Sequence, residues 1–159
     1  MQGDPQVIDF LNKALLNELT AINQYWLHHR LLSHWGIHKL AELERHESID
    51  EMKHADRLAE RILFLDGLPN FQALGRLKIG ETVEEVLKAD LALEHEALPL
   101  LKEAVAHCEA VRDYVSRDLF AAILQSEEEH IDMLETQFEM IARMGLENYI
   151  QLNSAPAGS

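Results

Sequence analysis

A single cysteine, Cys108, leaves this chain of 159 residues unable to form an internal disulfide. The N-terminus lacks the apolar stretch and small-residue cleavage site of a secretory signal. No run approaches the roughly eighteen apolar residues that cross a bilayer. Positive charge is also scarce, with 14 Lys and Arg against 28 Asp and Glu and a formal charge of −14. Such a surface repels nucleic acid and anionic membranes and attracts cations. The expectation is a soluble, cytoplasmic protein with cationic partners. Proline and glycine, four and seven in number, are too few to interrupt long helices often. The length suits one domain over residues 1–159 with a real core.

Those few helix breakers mark the joints. Asp4-Pro5 reads as an N-cap followed by proline at the first helical position, and His34-Trp35-Gly36 closes that helix. A second helix is expected from about Ile37 to Asp66, stopping at Gly67 with Pro69 beyond. Gly67 to Glu81 holds Pro69, Asn70, Gly75 and Gly80 without a sustained period and reads as a long connection. Thr82 and Glu85 form a capping box that opens a third helix. A break near Arg112-Asp113 separates it from a fourth, ending at Met144-Gly145. A short C-terminal helix over about 146–152 and a disordered tail at 153–159 complete the expectation. The fold class is therefore all-α, an antiparallel four-helix bundle over about 5–145. At roughly 3.3 Å per extended residue the connection reaches about 50 Å, enough to run the bundle's length and set the third helix parallel to the second.

Glu18, Glu51 and His54 recur as Glu94, Glu127 and His130, with 33 residues separating the two glutamates in each set. Each second glutamate is followed three residues later by histidine. With 19 Glu and nine His in the chain, about one Glu-x-x-His arises by chance, so the matched upstream glutamates and the helical pattern carry the weight. All six residues stand in apolar stripes: Leu15, Glu18, Ile22 on the first helix; Glu47, Glu51, His54, Leu58 on the second; Leu91, Glu94, Leu98 on the third; Ile123, Glu127, His130, Leu134 on the fourth. Each glutamate pair is equidistant from its turn, which puts both about 25 Å from it, near mid-bundle. Four carboxylates buried there would cost several kcal/mol each if ionised and unpaired. Two divalent cations cancel their charge, so a dinuclear metal centre is the reading, with six O and N donors of the type borderline-hard metals take.

Segments such as Asn17-Glu18-Leu19, Ala21-Ile22-Asn23-Gln24-Tyr25, His46 to Asp56 and Glu127 to Asp132 make the chain resemble the bacterioferritins, from Gly3-Asp4 to Asn148-Tyr149. The six ligands match the di-iron pattern already characteristic of ferritin-like bundles, so they are recognised here and not discovered. The resemblance implies a ferroxidase that oxidises Fe(II) with dioxygen or hydrogen peroxide and stores ferric mineral in a shell of 24 subunits. It implies that Glu51 and Glu127 bridge two irons, with Glu18 and His54 completing one and Glu94 and His130 the other. It further implies that Met52 binds haem b shared between two subunits, one methionine from each across a two-fold axis. By position alone Met52 lies about 100° off the ligand stripe and reads as packing. The haem would deliver electrons for iron release, with a small bacterioferritin-associated ferredoxin as partner.

Accessory positions extend the expectation. Asp90, level with His130, is a candidate to orient that ring or else a surface residue. Tyr25 packs, or serves near the centre as electron donor or hydrogen-bond partner, as the resemblance implies. His46 and Asp50 resemble an inner-surface iron site, but Ser126 stands where its acidic member would be. Glu47, His28, His29 and His95 read as structural or solvated. Pro99 should kink the third helix at the His95 carbonyl without loss of the site. The alternatives are a non-haem ferritin or small di-iron or di-manganese oxidase, which would bind no haem, and a metal-free helical interaction scaffold, which would bind no Fe(II).

Overall fold

The computed structural model describes residues 1–156, so the last three residues of the expected tail lie outside it. The helices are α1 (Pro5–His34), α2 (His38–Phe64), α3 (Val83–Ala110), α4 (Tyr114–Met144) and α5 (Leu146–Asn153). Asp4 caps α1 by accepting the Val7 N–H at 3.0 Å, with Pro5 just inside. Thr82 accepts the Glu85 N–H at 3.2 Å, while Glu85 reaches back to the N–H of Glu81 at 2.8 Å. The capping box is thus present but displaced by one residue at its return bond.

Three helix ends share one device. Ile37, Gly67 and Asp113 donate to the carbonyls of Leu32, Ile62 and Cys108 across a left-handed residue or its neighbour. That left-handed residue is Gly36 (φ 81°), Asp66 (φ 62°) and Arg112 (φ 62°) in turn. The second helix therefore stops at Phe64 and not at Asp66, because aspartate takes the position expected of Gly67. At the other end, α5 continues through Asn153, one residue into the expected tail. Asn153 is buried and its side-chain amide donates to the Tyr149 carbonyl at 2.9 Å, which holds the last turn closed.

Residues 65–82 climb along α1 and set the topology. Asn70 donates its N–H to Asn12, Gly75 to Thr20, Lys78 to Gln24, and Gly80 to Nε2 of His28. These rungs advance up α1 from residue 12 to residue 28, roughly 24 Å at 1.5 Å per residue. The crossover therefore delivers α3 to the far end of the bundle, antiparallel to α1 and parallel to α2, as the loop length suggests. Gly80 completes the approach, since a Cβ there would sit 2.3 Å from the Val86 nitrogen.

Two apolar clusters fill the bundle. One, containing Leu11, Leu15, Leu58, Ile62, Leu101, Phe120 and Ile123, occupies the end near the chain's start. The other, containing Leu32, Leu40, Leu87, Leu134 and Tyr149, occupies the opposite end under α5. A belt of buried polar side chains separates them. Pro99 lies within a continuous α3 on its exposed side, and Glu94, five residues before it, remains buried. Among the described residues no helix is long and apolar enough to cross a membrane.

Candidate metal centre

The belt consists of the repeated residues. Glu18 comes from α1, Glu51 and His54 from α2, Glu94 from α3, and Glu127 and His130 from α4. The four glutamates are 1–4 % exposed. The i, i+3 spacing of each Glu-x-x-His puts both side chains on one helical face. The donor atoms fall into two groups whose members lie within 4.8 Å of one another: Glu18, Glu51, His54 and Glu127, and Glu51, Glu94, Glu127 and His130. Glu51 and Glu127 belong to both.

The distances describe a near-symmetric pair. Nδ1 of His54 lies 3.6 Å from Glu18, 3.5 Å from Oε2 of Glu51 and 3.8 Å from Oε1 of Glu127. Nδ1 of His130 lies 3.4 Å from Glu94, 3.2 Å from Oε1 of Glu51 and 3.8 Å from Oε2 of Glu127. Each shared glutamate thus turns one oxygen to each histidine. Buried atoms without a hydrogen-bond partner include Glu18 Oε2, both Glu51 oxygens, His54 Nδ1, Glu94 Oε2 and Glu127 Oε1. Buried lone pairs normally find a donor, and a set left facing one another fits a cation. Carboxylate oxygens with imidazole nitrogens suit iron, manganese or zinc.

Electrostatics carry the same message. Burial raises the Glu94 carboxyl, His130 pulls it back, and Glu51 pushes it up again, leaving it at about 7. Burial works against the His130 imidazolium, yet the facing carboxylates of Glu47, Glu51 and Glu94 raise its pKa to about 12. Glu51 is lowered despite burial, because the rings of His130 and His54 on either side of it favour its charged form. Without metal, the proton on His130 supplies positive charge among the carboxylates.

The groups around the centre depart from the sequence reading in three places. Glu47, taken as structural or solvated, holds Nε2 of His130 at 2.6 Å and so does what was expected of Asp90. The spacing of Glu47 four residues before Glu51, on the same stripe, was the available signal. Asp90 is buried but faces α1, accepting from Gln24 at 3.0 Å and from Nδ1 of His28 at 2.8 Å. Counting from the turn fixes height along the bundle but not the direction a side chain takes around its helix. His28 takes the structural of its two readings: its Nε2 accepts the Gly80 N–H, so Nδ1 carries the proton it gives to Asp90. Glu44, buried beside Asp90 and pushed well above the usual carboxylate range by burial and by Asp90, went unnoticed in the sequence.

Tyr25 is fully buried and donates its hydroxyl to Glu94. His46 is exposed and pairs with Glu42 at 3.5 Å, whereas Asp50 stands 3.9 Å from His130 with Glu47. His46 and Asp50 are therefore not drawn into one group. Met52 is 41 % exposed on the outward face of α2. His29 is half-buried with Nδ1 against the Ala41 carbonyl, and His95 is exposed.

Residues 8–144 match the family described as ferritin-like domain. The chain is 54% identical to a bacterioferritin of Brucella melitensis over 99% of its own length and 98% of the relative's. It is 51% identical to a bacterioferritin of Rhodobacter capsulatus, covering 98% and 97%. A third relative, a bacterioferritin of Mycolicibacterium paratuberculosis, is 50% identical over 94% of each chain.

Proposed function

The chain belongs to the bacterioferritin family, and from that premise we propose that it is a cytoplasmic iron-storage protein and ferroxidase. The observation that carries the proposal is the division of Glu51 and Glu127 between two histidines, one oxygen to each. Glu18 and His54 would hold one iron and Glu94 and His130 the other, with Glu51 and Glu127 shared between the two groups. Two Fe(II) ions held there would supply two electrons, one from each, reducing dioxygen with two protons to hydrogen peroxide, or hydrogen peroxide with two protons to two waters. The four carboxylates favour Fe(III) over Fe(II), since higher positive charge gains more from a fixed anionic cage. Glu47 fixes the ring of His130 so that Nδ1 faces inward, and Tyr25 does the same for Glu94. Ferric product collects inside a shell of 24 subunits.

Met52 is the proposed haem ligand. Its exposed thioether could meet its own copy across a two-fold axis, so that one methionine from each of two subunits would hold the haem. Bound there, the haem would supply one-electron chemistry for the reductive release of iron, with a small ferredoxin as the electron donor. A metal-free scaffold is disfavoured by the buried, unpartnered donor atoms.

Titration of the purified assembly with Fe(II) in air should show a break near two ions per chain and ferric absorbance. Glu51→Ala and Glu127→Ala should lose the break. Uptake of no iron, or uptake unaffected by both substitutions, would overturn the ferroxidase reading. Reconstitution with haem should give a Soret band that Met52→Ala removes, and light scattering should give the mass of 24 chains. A wild-type protein without a Soret band is a non-haem ferritin or related oxidase instead.

A further inference from the structure

A small cavity of about 30 Å³ touches the buried carboxylates of Glu18, Glu51, Glu94 and Glu127, and its lining continues to Asn17, Leu93 and Glu96. The first four side chains are buried, Asn17 and Leu93 are half-buried, and Glu96 is exposed, so the lining spans from the buried carboxylates to an exposed one. Glu96 lies two residues beyond Glu94 on α3 and carries the outermost charge in this lining. It is ion-paired with Lys78 of the crossover. Lys78 is held in register there, since its backbone N–H donates to Oε1 of Gln24 at 3.0 Å and Gln24 is itself anchored on Asp90 at 3.0 Å. A cationic side chain is thus held against the outermost carboxylate of the cavity lining, on a fixed piece of backbone.

We propose that Glu96 is the outer carboxylate that receives divalent cations bound for the buried centre, and that Lys78 is the counter-charge they displace. The inference rests on the metal-centre reading above and adds a route and a gate to it. The chemistry favours exchange. The Lys78 ammonium and Glu96 carboxylate are 41% and 62% exposed, so solvent screens their attraction and the pair opens readily. A divalent ion carries twice the charge of the ammonium and gains more from the same carboxylate. Past the rim, the unpartnered oxygens of Glu18, Glu94 and Glu127 lie deeper and draw the ion inward. Lys78 and Glu96 together make the mouth nearly neutral at rest, which slows entry relative to an open acidic funnel.

The test uses the assembled, metal-free protein and Co²⁺, which is coloured and is followed by stopped-flow absorbance without turnover. Lys78→Gln should bind Co²⁺ several-fold faster than wild type, and Glu96→Gln roughly tenfold more slowly, with a weaker dependence on salt. Glu96→Asp should keep most of the rate. Final Co²⁺ per chain should be equal in all of them. Wild-type rates in both Lys78→Gln and Glu96→Gln overturn the gate and put entry elsewhere. A lowered final stoichiometry in Glu96→Gln makes Glu96 a resident ligand and also overturns it. Failure of the wild type itself to bind Co²⁺ would sink the metal-centre reading, and this inference with it.

Discussion

Individual side chains here are legible in type but only partly in direction. The six candidate donors are legible because each replaces a hydrophobe in an apolar stripe, a substitution that needs a compensating charge. Glu47 and Asp90 show the limit, since both lie at a suitable height and only one turns toward His130. Glu47→Ala should therefore weaken metal binding about 10–100-fold although all six ligands remain, which competition against a chelator measures. Protons follow from the same geometry. The His130 pKa is raised to about 12, so at neutral pH the metal-free ring holds a proton that a metal must expel to reach Nδ1. Lowering the proton concentration weakens the competitor, so affinity rises with pH. Calorimetry in two buffers of different ionisation enthalpy should show at least one proton released per chain on filling; a release of none would contradict the assignment.

At the scale of helices and their junctions, the breakers predicted the joints within two residues, and the misses have local causes. Asp66 and Arg112 accept a left-handed backbone without being glycine, which no pattern of Gly and Pro announces. Asp113 is the junction with the clearest energetic role. It caps α4 by accepting the Ser116 N–H at 3.0 Å and its hydroxyl at 2.7 Å, and it binds Arg61 of α2 at 2.9 Å. Asp113→Ala should cost about 1–2 kcal/mol from the cap, read as a lower denaturant midpoint. Burial raises the Asp113 carboxyl, but Ser116 and Arg61 outweigh it and hold the pKa below the ordinary value. A depressed folded-state pKa means that this stability is present above the unfolded value of about 4 and is lost as pH falls below it. The gap between wild type and Asp113→Ala should accordingly narrow in acid; a constant gap from neutral pH to pH 3 would show that the charge on Asp113 contributes nothing.

Over the whole molecule the dominant fact is negative charge, −14 in sum, with four carboxylates placed where water does not reach. Metal binding should stabilise the fold by about 2.7 kcal/mol at a free concentration one hundred times Kd. Scanning calorimetry should show that rise in wild type and its loss in Glu51→Ala and Glu127→Ala. Each variant is compared with its own metal-free form, because Glu51 is also a charge partner of His130 and its removal lowers stability by itself. A metal-dependent rise that persists in both variants would mean that these glutamates do not hold the metal.

Periodicity, the matched 33-residue spacing and the distribution of Pro and Gly determined by themselves that this is a bundle of four long helices with a paired acidic centre, because burial and helical geometry act through the chain's own repeat. The tertiary structure alone decided what lies around that centre. The crossover climbs α1 by hydrogen bonds from Asn12 to His28, Glu47 and not Asp90 reaches His130, and Lys78 meets Glu96 at the mouth of the cavity. Such contacts join residues 18 to 83 positions apart. They depend on how each helix is rotated about its axis, a quantity set by packing against neighbours and carried by no single stretch of sequence.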